Sequence, residues 1–167
     1  MNKIMSMVMA CLLMAACATL TPEEKAAREA AVKEKVKTAV VSQKYRINVT
    51  SMKPERGISH SVSTAWLKVD STTVECMLPY AGRDDIPHMK SRAEVRMGSK
   101  IDFKSDIKDY VCGIQPGDGR AIIKFKVENG IEYKFTVTIE NNGNAKINLE
   151  PEGRDKIEYE GYVNISK

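Results

Sequence analysis

The clearest signal in this chain is a period of two. In Ala121, Ile123, Phe125 and Val127, then in Ile131, Tyr133, Phe135, Val137 and Ile139, every second residue is apolar, while Lys124, Lys126, Glu132, Lys134, Thr136 and Thr138 fill the gaps. Successive side chains of a strand point to opposite faces, so this alternation predicts strands with one dry and one wet face. Asn129-Gly130 between the runs predicts a type I′ hairpin turn, which needs φ > 0 at both positions. Asn142-Gly143 marks a second turn into Ala145, Ile147 and Leu149, and 151–154 a third into Ile157, Tyr159, Gly161, Val163 and Ile165. Strands joined in this way form an antiparallel meander.

Upstream the same period returns in shorter pieces. Tyr45, Ile47 and Val49 alternate with Arg46, Asn48 and Thr50, and 54–57 marks a turn. Short strands are predicted over Ala65 to Val69, Thr73 to Leu78, Ala93 to Met97, Ile101 to Lys104 and Asp109 to Ile114. A sheet with one apolar face must cover that face with a second layer. The fold class is therefore mainly β: an antiparallel β-sandwich or small barrel, preceded by one N-terminal helix.

That helix announces itself at Thr21-Pro22-Glu23-Glu24, with Thr21 as N-cap, Pro22 in the first turn and Glu24 closing a capping box. It should run to about Ser42. Its one apolar stripe, Val32, Val36, Ala39 and Val40, lies in the second half, so the first half reads as a solvated spacer and the second as the docked part.

Before the helix stands a leader: Lys3 as the positive start, an apolar run from Ile4 to Met14, then Ala15-Ala16-Cys17. The run is too short to span a bilayer, and small residues precede the cysteine as a cleavage site requires. This reads as a lipoprotein signal peptide over 1–16, with Cys17 as the lipidated first residue of the mature chain; an ordinary secretory leader is the plainer alternative. Two or more acyl chains such as palmitate anchor stably where one does not. Ala18 is not the aspartate that favours inner-membrane retention, so an outer-membrane, periplasm-facing lipoprotein is expected. The domain plan is then leader 1–16, lipidated tether and helix 17–43, and β domain 44–167.

Charge adds little to this picture. Lys and Arg number 26 against 22 Asp and Glu, and of these only Lys3 precedes Cys17, which leaves the mature chain at +3. The charges are interspersed, with no basic stripe, so no nucleic-acid partner is expected.

Two cysteines remain after processing, Cys76 and Cys112, each at an inward-facing position of its predicted strand. Bridged, they would close a loop of about 36 residues and add roughly 4 kcal/mol in the chain-entropy account. Left free, they pack as small hydrophobes.

The one polar cluster is Tyr80, Arg83, Asp84, Asp85 and His88. As a ligand loop, Arg83 would clasp an anion while the carboxylates and imidazole hold a cation. As plain structure, Pro79 and Gly82 shape a turn, Tyr80 packs inward and the charges are solvated. Its spacing matches no metal site, so neither metal nor cofactor is expected. His60 has no partner at a recognisable spacing, and no nucleophile elbow or phosphate loop is present. Trp66, Tyr110, Tyr133 and Tyr159 are candidates for a sugar platform or an apolar pocket, and equally for the core.

Three stretches carry a family resemblance: Tyr45 to Gly57, Leu78-Pro79-Tyr80-Ala81-Gly82-Arg83, and Ile123 through Gly143 to Glu160-Gly161. Together they resemble the domain of unknown function 4251 family of Bacteroidetes envelope lipoproteins, over about 41–163. The chain departs from that family at Ala81, where a bulky aromatic is usual, and at 84–88, where a Gly-rich loop is usual. The resemblance implies lineage and compartment, and no activity.

The leading expectation is a non-catalytic binding or assembly module, anchored to the envelope membrane through Cys17, with another envelope protein, a glycan or a peptide as partner. A lipocalin-like carrier, holding an apolar ligand among Ile123, Phe125, Phe135, Val137 and Tyr159, is the alternative. A hydrolase built on the loop from Tyr80 to His88 stands third.

Overall fold

The structure is a computed structural model that describes residues 21–82 and 99–164. The leader, Cys17, the predicted strand Ala93 to Met97, and Ile165 lie outside the described residues.

Helix α1 spans Pro22–Val41. Its capping box is formed in both directions: the Thr21 amide donates to Glu24 Oε2 at 3.0 Å and the Glu24 amide to Thr21 Oγ1 at 3.3 Å. The chain divides into two compact units at Ala31/Val32. Residues 21–31 are exposed throughout. In the second unit Val36 and Val40 are buried and join the barrel core, with Val32 and Ala39 half-buried against it. Gln43 then takes a positive φ of 54° and ends the helical path.

Eight strands follow: β1 (Lys44–Pro54), β2 (His60–Asp70), β3 (Thr73–Tyr80), β4 (Ser99–Ile114), β5 (Ala121–Asn129), β6 (Ile131–Ile139), β7 (Asn144–Pro151) and β8 (Ile157–Val163). Each pairs antiparallel with the next, and β8 returns to β1, so the sheet is a closed up-and-down barrel rather than a sandwich. Alternation explains the interior. Tyr45, Ile47 and Val49 of β1 and Tyr133, Phe135, Val137 and Ile139 of β6 are all buried, with polar residues between them facing out. Eight strands leave an interior just wide enough for side chains to fill. Here Phe125 and Phe135, opposite each other on the neighbouring strands β5 and β6, stack inside it with ring centroids 4.9 Å apart.

Three expectations change. The pairs Glu128↔Glu132 and Asn129↔Ile131, with positive φ at Gly130 alone, make the β5–β6 turn a three-residue loop with glycine at the left-handed position, and not type I′. The segments Ile101 to Lys104 and Asp109 to Ile114 are one strand, bent by a bulge between Lys108 and Val111. Asp109 there has φ 54°, a conformation that a short polar side chain tolerates, and its carboxylate meets Lys126 Nζ at 3.2 Å.

The third change concerns Cys112, for which strand parity predicts an inward position; of the two states the sequence leaves open for the cysteine pair, the free one is found. Cys76 is fully buried and Cys112 is exposed, and both are free thiols. Cys76 lies opposite Phe103 on β4, nine residues before Cys112, which puts roughly 30 Å of strand between them at about 3.3 Å per residue. A bridge needs Cα atoms within about 7 Å. Cys112 keeps the parity of Tyr110, yet it is not enclosed, because β3 runs no farther along β4 than the Thr73↔Asp106 pair.

Burial pushes the Cys76 thiol up from 9.0 to about 12. Unfolded, it loses its proton near pH 9; folded, it holds the proton to about pH 12. Unfolding in that window releases a proton, so this contribution to stability is complete below pH 9 and is lost as pH rises. Cys76→Ala is expected to flatten the fall of the urea midpoint above pH 9. Iodoacetamide mapped by peptide mass should modify Cys112 in the native protein and Cys76 only on unfolding.

Where β8 crosses β1, a methyl group on Gly161 would overlap the Asn48 carbonyl oxygen, while one on Gly113 meets open space. Gly161→Ala is expected to destabilise by about 3 kcal/mol in urea unfolding. Gly113→Ala should leave the unfolding free energy within about 0.5 kcal/mol of the parent.

Candidate functional site

Of the predicted ligand loop, only Tyr80 falls among the described residues; Arg83, Asp84, Asp85 and His88 lie outside them. Tyr80 ends β3 with its ring in the core, 1% exposed. Its hydroxyl donates to the Asp155 carbonyl at 3.2 Å, and the Arg154 guanidinium carbon lies 5.6 Å from its ring centroid. Gly82 must be glycine here, since an added Cβ would sit 2.6 Å from the Tyr80 hydroxyl and 3.1 Å from Asp155 Cβ. Beside it Tyr159 donates to the Pro79 carbonyl at 2.8 Å. Two phenol rings thus plug this end of the barrel, with each polar tip satisfied by backbone. Burial raises the Tyr159 phenol far above its ordinary range, so it stays neutral.

The opposite end gathers Tyr45, Tyr110 and Cys112. Burial, then the neighbouring Tyr110, raises the Tyr45 phenol, and desolvation raises both Tyr110 and Cys112. A nucleophilic thiol needs its pKa lowered, and this setting does the reverse. Among the described residues no three His, Cys, Asp or Glu side chains come together as a metal site. His60 begins β2 opposite Met52.

The interior residues named for carriage are Ile123, Phe125, Phe135, Val137 and Tyr159, and each is at most 2% exposed and packed against its neighbours. Recesses formed by described residues lie on the outer side of the barrel wall. One of about 600 Å³ is lined by Thr50, Arg120, Thr138, Lys146 and Glu160 among others, a polar set.

On the outer wall, strand register builds an arrangement that the sequence did not flag as a unit. Asn48 of β1 lies opposite Trp66 on one side and Tyr162 on the other, forming one row across β2, β1 and β8. The Arg46 guanidinium carbon lies 4.5 Å from the Trp66 ring centroid, and its Nε donates to Asn48 Oδ1 at 3.3 Å. Tyr162 is 49% exposed. Trp66, read as platform or core, is half-buried on the outer face; Tyr133 and Tyr159 are core. The outward parity of Arg46, Asn48 and Trp66 was legible in the alternation. The missing signal was which strands neighbour β1, because the β8 partner is more than 100 residues away in sequence.

The model of a domain of unknown function, DUF4251, matches residues 27–163. No curated protein matches the chain. A crystal structure of a DUF4251 family protein from Bacteroides eggerthii DSM 20697 is similar in fold, with TM-score 0.64 and 13% identity over 82% of this chain and 89% of that one. With most of its length matched by the family model, the chain belongs to the DUF4251 family.

Proposed function

We propose that this protein is an envelope-anchored lipoprotein whose barrel serves as a non-catalytic binding or assembly module, working through its outer wall. The observation that carries this reading is the filled interior: side chains from all eight strands occupy the space that a carrier would leave for its ligand. Support for the anchor comes from the sequence, where the apolar run and Ala15-Ala16 lead to Cys17. In this reading acyl chains at Cys17 supply the attachment. The exposed stretch 21–31 then acts as a spacer between membrane and barrel.

Cys17→Ala is expected to move the protein from the detergent phase to the aqueous phase of a Triton X-114 partition. Persistence in the detergent phase would refute the anchor. Titration with a fluorescent fatty acid is expected to give no saturable 1:1 binding; a saturable 1:1 isotherm would favour the carrier instead.

A further inference from the structure

The row Trp66, Asn48 and Tyr162 is an aromatic, an amide and an aromatic set side by side on a solvent-facing wall. Its two rings are separated by two inter-strand spacings, about 10 Å. Asn144 extends the row beyond Tyr162 on β7. Arg46 stands against it, fixed by the Trp66 ring at 4.5 Å and by Asn48 Oδ1 at 3.3 Å. No carboxylate among the described residues pairs with Arg46. Four of the meander's outward lysines differ: Lys126 pairs with Asp109, Lys134 with Glu132, Lys146 with Glu158 and Lys156 with Glu150, while Lys124 is in no such pair among the described residues. Lys68 lies directly across from Arg46, with Glu75 of β3 opposite it on its other side.

We propose that this wall binds an oligosaccharide bearing carboxylates, a uronic-acid chain, with Arg46 taking a carboxylate and Tyr162 and the Arg46–Trp66 stack supporting successive sugar rings. A pyranose presents an apolar C–H face and a rim of hydroxyls, which an aromatic–amide–aromatic row matches in alternation. The planar guanidinium forms two parallel hydrogen bonds to a carboxylate, and holding it in place beforehand reduces the ordering cost of binding. The positive charge of Arg46, which no ion pair among the described residues offsets, selects acidic over neutral chains. A protein partner would call for a pocket that buries an anchor side chain, whereas this row lies along the convex barrel wall. The proposal rests on the binding-module reading and names its partner class.

The test is calorimetric titration of the full-length protein in detergent with hexagalacturonate and a hyaluronan hexasaccharide, using maltohexaose and hexa-aspartate as controls. At least one acidic sugar should bind, with affinity falling as salt rises, and maltohexaose should bind about tenfold more weakly or worse. Arg46→Gln, a surface change that leaves the core intact, should erase that preference, and Tyr162→Ala should weaken the acidic sugar at least fivefold. Absence of binding by both acidic sugars at millimolar concentration would overturn the proposal. Equal binding of maltohexaose or hexa-aspartate, or acidic-sugar binding indifferent to both substitutions, would overturn it too. None of these results bears on the Triton X-114 partition of Cys17→Ala, so failure here is distinguishable from failure of the anchored-module reading.

Discussion

Closure of the sheet between β1 and β8 is the constraint on which everything else in this structure depends. Once eight strands close, the volume inside is set, and side chains alone can fill it. Leu67, Leu78, Ile123, Phe125, Phe135, Ile147, Leu149 and Tyr159 do so, each at 0–2% exposure. Two of the buried phenols, Tyr80 and Tyr159, are accommodated because carbonyls of Asp155 and Pro79 lie within reach. A molecule built this way has little interior to offer a ligand.

Closure also needs places where strands bend or approach unusually closely. The register of β1 shifts between Val49 and Ser51 against both of its neighbours. Thr64 on β2 has φ 64°, costly for a β-branched residue. At the same seam Gly161 lets β8 lie against the Asn48 carbonyl. These adjustments occur along β2, β1 and β8, the strands that carry Trp66, Asn48 and Tyr162. The seam that shuts the barrel therefore also sets the relative positions of the aromatic and amide side chains on its outer face.

Sequence reasoning reached furthest where the physics is local. The alternation from Ala121 to Val163 specified strand faces, and glycines at 130, 143 and 153 all adopt the positive φ that their turns use. The capping box at Thr21 and Glu24 formed as its spacing implied. Reasoning failed where a residue's setting depends on how far a neighbouring strand extends. Cys112 has inward parity, but inward means enclosed only where β3 flanks β4, and that pairing stops at Asp106. The bulge at Asp109 joined two predicted strands into one, a result of barrel curvature that no alternation records. The Arg46, Trp66 and Tyr162 grouping was invisible for the same reason, since it exists only once the first strand has met the last.

Electrostatics distinguishes the two sides of the wall. On β5 to β8 the outward cations and carboxylates alternate across strands: Lys146 meets Glu158 at 2.9 Å and Lys156 meets Glu150 at 2.8 Å. Exposed pairs of this kind contribute little to stability, yet they offset each other's charge at short range. On β1 and β2 the guanidinium of Arg46 is positioned by an aromatic face and an amide oxygen, contacts that fix its orientation without cancelling its charge. A stack on indole contributes about 0.5–1 kcal/mol at an exposed site, comparable to an exposed ion pair. Stability alone therefore gives no preference for this arrangement over a neutralised one; the difference lies in the field that Arg46 itself projects into solvent, which no ion pair among the described residues offsets.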